Sequence, residues 1–350
     1  MVHLRRGRLV VEDFVRGVQH EINEDALTVL RRFGSWKSVR AVTREFAGYG
    51  PRGVGDAIAT LWRNGLLVVE GTAESARDAR LAPWEPWSPA GSFFHFATRN
   101  ARYTTSSRGL CVIAARVTRR PMQPIYKDVA GPRSGLVGPR ASLARGSLGH
   151  ALMRRRTCRE FRRGQLSRSV VEKVTVLTFG RLGWLDGGPY GKLLHRAAPS
   201  GGARHVVECY LMILNVQGLR RGLYHYSVRH NALVSLPNDV SRERVARFTK
   251  GQRGFADASA LFLMTAVFGR SQWKYRDPRA YRVLLLDLGH ICQNLLLVAA
   301  SLGAGAFCTA AFDDDAIDRY LGLDGVSEGV MYVAGIGLPS ERRGRNPASF

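Results

Sequence analysis

The residues best suited to chemistry lie close together in the stretch WKYRDPRAYR, residues 273–282. Lys274 and Tyr275 are adjacent groups that can accept or donate a proton. The arginines of the same stretch can bind anions. Core packing does not require such a density of polar side chains. The stretch therefore predicts an approach to a site into which a lysine and a tyrosine are delivered.

Two other segments have the composition of ligand-binding segments. The first, RRRTCREF, carries four arginines within six residues, 154–159. A guanidinium cluster suits a phosphate because each group donates in a planar fork; the alternative is a solvated basic face. The second segment, PSGGARH, places Gly201 and Gly202 after Ser200. Adjacent glycines let the backbone approach a ligand and leave N–H groups available to it, although an ordinary turn has the same pattern.

The elements that position these groups begin with the apolar run after residue 282. A helix that is apolar on every face is buried, so residues 283–302 predict a buried central helix. Asp287, His290, Gln293 and Asn294 interrupt it, which argues against a membrane span of about 20 apolar residues. Taken singly, Gln293 and Asn294 are also typical of buried amides that are hydrogen-bonded by their neighbours.

The pattern around this helix predicts strands and helices in one folded half. We expect a helix over Ser167–Leu177, strands over Val206–Asn215 and Ala260–Phe268, and a final strand over Gly329–Ile336. Gly222–Tyr226 and Ala232–Leu236 predict a hairpin. The acidic run Asp313–Asp315 is explained by the start of a helix.

The first 88 residues predict a separate module. Helices are expected over Asp25–Phe33, Ser35–Phe46 and Gly53–Asn64, with a strand over Gly65–Val69, an order similar to a winged helix-turn-helix. The third helix carries only Arg52 and Arg63, so nucleic-acid binding is not expected, and the module is interpreted as one that packs on its own enzyme or holds a peptide. Residues 89–148 are interpreted as an extended linker or arm, and residues 149–350 as the catalytic domain.

Composition limits the class of protein. The 350 residues include 45% apolar residues, enough for a full core, and carry a net charge of +24. Sixteen basic and two acidic residues fall between 101 and 168, which favours an acidic partner or reflects an arginine-rich source. Five cysteines without a CxxC pattern and an N-terminus without a secretory pattern predict a reduced, cytoplasmic protein. The nine histidines lack metal-ligand spacing, so no metal site is predicted.

Several motifs occur in one order and together carry a resemblance. They are RRRTCREF, PSGGARHVVECYL, GLYHY, WKYRDPRAYR, LGHICQNLLLVAASLGAG, AFDDD and YVAGIGLP. Over roughly residues 92–340 the chain resembles the SagB/ThcOx-type dehydrogenases of the nitroreductase superfamily. The resemblance implies an α+β, nitroreductase-like FMN-binding fold with a mixed, mainly antiparallel sheet flanked by helices. It also implies an N-terminal winged-helix-like domain and a homodimer, because the superfamily builds each flavin site at a subunit interface.

The resemblance also implies roles for individual residues. It implies FMN as the cofactor, and Lys274 and Tyr275 match the catalytic pair of the family. A late basic residue, Arg342 or Arg343, would complete the phosphate site. The residues that match the cofactor-binding motifs are Arg155, Arg156, Thr157 and Arg159 for the phosphate and ribityl chain, Pro199, Ser200, Gly201, Gly202 and Arg204 for the loop beside the flavin, and Gln293 and Asn294 under the ring.

The implied activity is oxidation of thiazoline or oxazoline rings to thiazoles or oxazoles in a ribosomally made peptide. Aromatising such a ring removes a hydride and a proton, and a positioned base is worth roughly 10²–10⁴-fold for the proton. The expected partners are a modified precursor peptide, a second copy of the chain and a cyclodehydratase complex. Two alternatives stay open: an NAD(P)H-dependent flavin reductase of small molecules, or a winged-helix peptide- or DNA-binding protein with an idle flavin domain.

Overall fold

The computed structural model describes residues 1–46, 48, 51–99, 148–187, 192–275 and 278–340. These residues form two compact units. The first contains residues 1–99 together with 275–281, and the second contains the other described residues.

The first unit begins with a small sheet and continues with helices. Strands β1 (Val2–Arg5), β2 (Arg8–Asp13) and β3 (Val18–Ile22) form an antiparallel meander in the order β1-β2-β3. The helices are α1 (Glu24–Arg31), α2 (Val39–Glu45), α3 (Pro51–Arg63), α4 (Ala73–Ala79) and α5 (Ser88–Thr98). Helices α1 to α3 pack around Val29, Val42, Val54, Ile58 and Leu61.

The three helices α1 to α3 agree with the prediction, whereas the strand predicted over Gly65–Val69 is wrong. Gly65, at φ +71°, ends α3, and its N–H donates to the backbone oxygen of Trp62 at 2.8 Å. Leu66 and Leu67 pack onto the core of α1 to α3, so their apolarity serves helix packing. The strands of this unit, β1 to β3, precede the helices instead. Charged residues in these strands obscure the alternation of apolar and polar side chains. The winged-helix assignment therefore stays a prediction.

The extended arm predicted over 89–148 is wrong at its start, because Ser88–Thr98 is the helix α5. Pro89 lies in the first turn of α5, where its missing N–H costs no hydrogen bond. Aromatic packing explains the helix: the ring of His95 stacks on Trp84 at 4.6 Å, and its Nδ1 lies 2.7 Å from the hydroxyl of Tyr281. Residues 100–147 of the predicted arm lie outside the described residues.

The second unit is built on one six-stranded antiparallel sheet. Its helices are α6 (Leu148–Arg154), α7 (Arg168–Phe179), α8 (Arg242–Phe248), α9 (Phe268–Gln272), α10 (Ala280–Ser301, whose first two residues belong to the first unit) and α11 (Asp314–Leu321). Its strands are β4 (Leu166–Ser167), β5 (Gly183–Asp186), β6 (Lys192–His195), β7 (Val207–Ile213), β8 (Val216–Gln217), β9 (Gly222–Ser227), β10 (Ala232–Leu236), β11 (Ala260–Val267), β12 (Gly305–Thr309) and β13 (Glu328–Gly337). The six-stranded sheet has the order β10-β9-β7-β11-β13-β12. Thr157 forms a parallel bridge with Ala306 at the β12 edge, which makes the arrangement mixed. The predicted α+β class and mainly antiparallel sheet are confirmed.

Alternation along the strands separates two packed faces of this sheet. Leu261 and Leu263 of β11 join a core with residues of α8 and α11. Phe262 points to the opposite face, where it stacks on Phe179 of α7. The predicted strands over β7, β11 and β13 and the β9-β10 hairpin are confirmed, and Asp313 caps α11 by accepting from the N–H of Ala316 at 3.0 Å.

The predicted burial of the central helix on all sides is wrong in the single chain. Leu284, Leu288 and Ile291 of α10 are buried, whereas Leu285 and Leu286 are 41% and 60% exposed. Among the described helices, α10 is the one with the length and apolarity to cross a membrane.

Candidate functional site

The loop Ser200–His205 is tied to α10 by a buried carboxylate. The hydroxyl of Ser200 donates to Asp287 Oδ2 at 2.6 Å, and the N–H of Gly201 donates to Asp287 Oδ1 at 3.1 Å. The N–H of His205 donates to the oxygen of Ser200 at 2.9 Å and closes the loop. Burial raises the pKa of Asp287, and the two hydrogen bonds oppose that rise. A single side chain of α10 thus anchors the start of the predicted flavin loop.

The backbone of this loop departs from the conformations that side chains favour. Gly202, Ala203 and His205 have φ values of +59°, +55° and +44°. Left-handed conformations at residues other than glycine are uncommon and concentrate at functional sites. Position 201 requires glycine for a steric reason, because an added Cβ there would clash with Val283 Cγ1. Its close approach is to α10, which refines the expectation that both glycines face a ligand.

Arg204 connects this loop to the segment that carries the predicted base. Its guanidinium carbon lies 5.2 Å from the ring centroid of Trp273, the residue before Lys274, at a separation typical of cation–π contacts. Lys274 is half-buried, and its backbone N–H donates to the oxygen of Ser271 at 3.1 Å. The structure therefore brings Arg204 and the approach to Lys274 together.

Arg270 of α9 holds the other end of the loop against the sheet. It donates to the backbone oxygen of His205 at 2.9 Å and forms an ion pair of 2.5 Å with Glu208. Burial raises the pKa of Glu208, but the hydrogen bond from His225 and the charge of Arg270 outweigh burial and leave the pKa lowered. Glu208 is thus an anion that anchors Arg270.

His205 is neutral in this environment. Burial, together with the nearby charges of Arg196, Arg204 and Arg270, lowers its pKa to about 4. Its Nε2 lies 2.7 Å from the backbone oxygen of Leu194. Because a carbonyl only accepts, the proton of the neutral ring resides on Nε2.

Tyr275, the second predicted catalytic residue, belongs to the first unit. Its backbone oxygen accepts a hydrogen bond from Trp87 Nε1 at 3.0 Å. Trp87 is fully buried, so the backbone at Tyr275 is held by a rigid indole.

The predicted phosphate-binding arginines lie on a short segment that joins the β12 edge. The N–H of Cys158 donates to the oxygen of Ala306 at 3.0 Å. Arg155 is half-buried, whereas Arg156, Thr157 and Arg159 are exposed. Arg156 Nη1 donates to the backbone oxygens of Met153 and Arg155 at 2.8 and 2.9 Å, so part of this guanidinium completes the end of α6.

Two of these arginines lie near the thiol of Cys308. Its pKa is lowered, first by a hydrogen bond with the Cys292 thiol and in part by the charges of Arg155 and Arg159. The guanidinium carbon of Arg159 also lies 6.0 Å from the ring centroid of Phe307. Arg155 and Arg159 therefore create a positive region at β12.

The donor set on this segment fits a flavin mononucleotide phosphate. Several guanidinium groups and the hydroxyl of Thr157 lie within five residues on an accessible surface, and phosphate oxygens accept such charged hydrogen bonds. Gln293 is exposed and Asn294 half-buried, so Gln293 is not a buried amide in the single chain. Pro199 is exposed beside the anchored loop. Arg342 and Arg343 lie outside the described residues.

Sequence reasoning missed the anchoring residues Asp287 and Arg270. Asp287 had a visible signal, since a carboxylate in an apolar helix requires hydrogen-bonding partners. No pattern in the sequence marks Arg270 as an anchor, because its role depends on the distance between α9 and the loop.

Comparisons with known proteins find relatives of this chain both in sequence and in structure. The profile described as "Nitroreductase family" matches residues 152–338. The chain is similar to the trifolitoxin-processing protein TfxB of Rhizobium leguminosarum bv. trifolii, with 36% identity over 155 residues covering 40% of this chain and 39% of that protein. The chain thus spans about two fifths of TfxB. It is also similar to the microcin B17-processing protein McbC of Escherichia coli, with 29% identity covering 46% of this chain and 58% of McbC.

A solved structure supports the fold. One chain of the E. coli microcin synthetase McbBCD complex with truncated pro-MccB17 bound has a TM-score of 0.51 and 19% identity to this chain. The match covers 69% of this chain and 85% of that one. At this identity the likeness shows the fold alone.

Proposed function

Because the chain belongs to the nitroreductase family, we propose that it is an FMN-dependent oxidoreductase that oxidises thiazoline or oxazoline rings in a ribosomally made peptide. The observation that carries the proposal is the contact of Arg204 with Trp273, since it joins the loop anchored on α10 to the approach of Lys274. The processing proteins TfxB and McbC, to which the chain is similar, support a peptide substrate.

The chain's own residues would divide the work as follows. Arg155, Arg156, Thr157 and Arg159 would bind the phosphate, and the backbone of residues 199–204 together with Gln293 and Asn294 would hold the ring system. FMN, when bound, supplies the acceptor for a hydride. The amine of Lys274 takes the proton from the azoline carbon next to the one that loses the hydride. Tyr275 holds the substrate or relays that proton.

A homodimer is part of this proposal. Arg282, Leu285, Leu286, Gly289, His290 and Gln293 form an exposed stripe along α10. A stripe of this kind on a helix is suited to pack against a second copy. We also propose a cytoplasmic location and a cyclodehydratase complex as partner, the latter by analogy with the synthetase complex to which the fold is similar.

The alternative within enzymes is an NAD(P)H-dependent flavin reductase of small molecules. The two activities are distinguished by following the reduction of the flavin in the purified yellow protein under anaerobic conditions. Bleaching that requires a synthetic thiazoline- or oxazoline-containing peptide supports the proposal. Bleaching by NADPH alone supports the reductase.

Replacement of Lys274 tests the catalytic assignment directly. We expect Lys274→Ala to retain flavin absorbance and to lose roughly 10²–10⁴-fold in kcat for the azoline peptide, because the proton then lacks a positioned base. Lys173→Ala, which removes an exposed amine on α7, serves as the matched control. Full activity of Lys274→Ala would remove this lysine from the mechanism.

A further inference from the structure

Two cysteines and a tyrosine form a cluster between α10 and the edge of the sheet. The thiol of Cys308 on β12 is hydrogen-bonded to the thiol of Cys292 on α10, and its sulfur lies 3.1 Å from the hydroxyl oxygen of Tyr332 on β13. Successive side chains of a strand point to opposite faces of the sheet. Phe307 packs in the core with α8 and α11, so Cys308 faces the other side. The two free thiols therefore meet where α10 covers β12.

Cys308 is the member of the pair that ionises more readily. It is half-buried, whereas Cys292 is 2% exposed, and a charged sulfur costs less free energy where water reaches it. The hydrogen bond with Cys292 and the charges of Arg155 and Arg159 lower the pKa of Cys308, although burial opposes them. The same hydrogen bond, together with burial, raises the pKa of Cys292. The cluster thus holds its negative charge on Cys308 and its proton on Cys292.

Tyr332 supplies a second donor to this thiolate. Burial and its contact with Cys308 raise the pKa of Tyr332, so its hydroxyl keeps its proton while Cys308 ionises. A thiolate only accepts a hydrogen bond, and the tyrosine hydroxyl is therefore the donor across the 3.1 Å contact. A sulfur held as an anion in this way is the form of cysteine that reacts with oxidants.

We propose that Cys308 is a peroxide-reactive cysteine and that Cys292 resolves its oxidised form into a disulfide between β12 and α10. Cysteines that sense oxidants are accessible, are stabilised as thiolates and lie beside a resolving thiol. The pair combines these three properties. Hydrogen peroxide is the oxidant that suits the site, because it is small and uncharged and can reach a half-buried sulfur.

The oxidation is balanced over two steps. In the first step, the thiolate sulfur of Cys308 attacks one oxygen of hydrogen peroxide. The O–O bond breaks, an S–O bond forms, and the hydroxide that leaves takes a proton from solvent. In the second step, the sulfur of Cys292 attacks the sulfenic sulfur, the S–S bond replaces the S–O bond, and hydroxide leaves with the proton of Cys292 as water. The sulfurs lose two electrons, which the peroxide gains as it becomes water.

Cys158 provides an internal comparison. It lies on the arginine segment and is also half-buried, but its Sγ donates to the backbone oxygen of Glu160 at 3.3 Å. The sulfur of Cys158 acts there as a donor, whereas the sulfur of Cys308 accepts from its neighbours. We therefore expect Cys158 to react more slowly with peroxide, which makes Cys158→Ser the matched control.

Mass spectrometry of the full chain detects the disulfide in a single peptide. The next arginine after Arg282 is Arg319, and no lysine lies between them, so trypsin leaves Cys292 and Cys308 in one peptide. The chain is exposed briefly to hydrogen peroxide and then labelled with N-ethylmaleimide in urea. We expect this peptide to be lighter by two hydrogen atoms and to carry no label. Reduction with dithiothreitol before labelling is expected to restore its mass and add two labels.

Three serine variants assign the roles within the pair. Cys308→Ser is expected to abolish the oxidation of this peptide. Cys292→Ser is expected to stop the reaction at a sulfenic acid, which dimedone traps on Cys308. Cys158→Ser is expected to form the disulfide as the original chain does.

The pH dependence of alkylation tests the thiolate separately. For Cys308, the midpoint of the rate of reaction with iodoacetamide is expected to lie at least about one pH unit below the value near 8.5 of a free cysteine. The same residue in the urea-unfolded chain supplies that reference. Tyr332→Phe keeps the ring and removes one donor, so the midpoint is expected to rise toward the unfolded value.

The outcomes that contradict the proposal are equally specific. A peptide that keeps both labels after peroxide, or a midpoint equal to that of the unfolded chain, would overturn it. Dimedone bound to Cys292 in place of Cys308 would reverse the roles and overturn the assignment. The measurements on the original chain decide the question even if a serine variant fails to fold. Because they use no azoline peptide, their result is independent of the proposed function.

Discussion

Arg159 is the residue whose surroundings argue most directly for an anion. It is exposed, lies over the ring of Phe307 and contributes to the lowered pKa of Cys308. We expect Arg159→Ala to weaken FMN binding roughly 10- to 150-fold, the equivalent of a charged hydrogen bond of about 1.5–3 kcal/mol. Titration of the apoprotein with FMN and with riboflavin measures this effect.

Riboflavin is the informative comparison, because it lacks the phosphate. Its affinity is expected to be the same in Arg159→Ala and in the original protein. Arg163→Ala, a nearby exposed arginine outside the matched motif, is the control. If both flavins lose affinity equally, Arg159 acts on the fold or the ring system and not on the phosphate.

His205 makes a prediction about pH. Its folded-state pKa of about 4 lies below the roughly 6.5 of an unfolded histidine. Between these values the unfolded chain binds more protons, so His205 lowers the stability as the pH falls from 6.5 to 4. His205→Asn tolerates the left-handed backbone and keeps a donor for Leu194. In urea titrations the stability difference between the two proteins is expected to change by about 1–3 kcal/mol over this range, and a constant difference would refute the assignment.

Helix α10 acts as the support of the candidate site through Asp287. Asp287→Ala removes the acceptor of two hydrogen bonds and leaves the N–H of Gly201 and the hydroxyl of Ser200 without it. Leaving a buried polar group unpaired costs about 1–3 kcal/mol, and the lower half of that range applies to each of these two half-buried groups. We therefore expect a loss of roughly 2–4 kcal/mol in the free energy of unfolding, measured with urea.

Ser200→Ala provides a second test of the same loop. It removes one of the two bonds to Asp287 together with the acceptor for the N–H of His205, and retains the bond from Gly201. Because it also removes two hydrogen bonds, we expect a loss of stability similar to that of Asp287→Ala. If Asp287→Ala loses no more stability than a substitution at an exposed position, the loop holds its conformation without α10.

The exposed stripe of α10 is a feature of the whole molecule. Leu286 is 60% exposed on a helix whose opposite face supplies core residues, and burying such a side chain is worth about 1.5–3 kcal/mol. If two copies pack through α10, a charge at this position opposes association. We expect Leu286→Glu to shift the protein from dimer to monomer, measured by light scattering after size exclusion.

Val234→Glu is the control for that substitution, because Val234 is 46% exposed on β10 and lies outside the stripe. It is expected to leave the mass unchanged. A dimer that persists in Leu286→Glu would place the subunit contact elsewhere.

What could be predicted from the sequence depended on local chemistry. The periodicity of residues 206–215, 222–236 and 260–268 predicted strands that the structure confirms, because alternation and apolar runs determine how a strand packs. The ordered motifs also predicted the family and its antiparallel sheet. The N-terminal strands escaped prediction because they are short and mostly exposed, so burial imposes little pattern on them.

The sequence by itself determined the chemical inventory: the Lys-Tyr pair, the arginine segment, the glycine loop and the apolar helix behind them. Only the tertiary structure decided that Asp287 and Arg270 hold that loop, that Arg204 meets Trp273, and that α10 leaves one face uncovered. The physical reason is that a side chain's type is local, whereas its partner is set by distances between segments 60 to 90 positions apart. Those distances exist only once the sheet and its helices have packed.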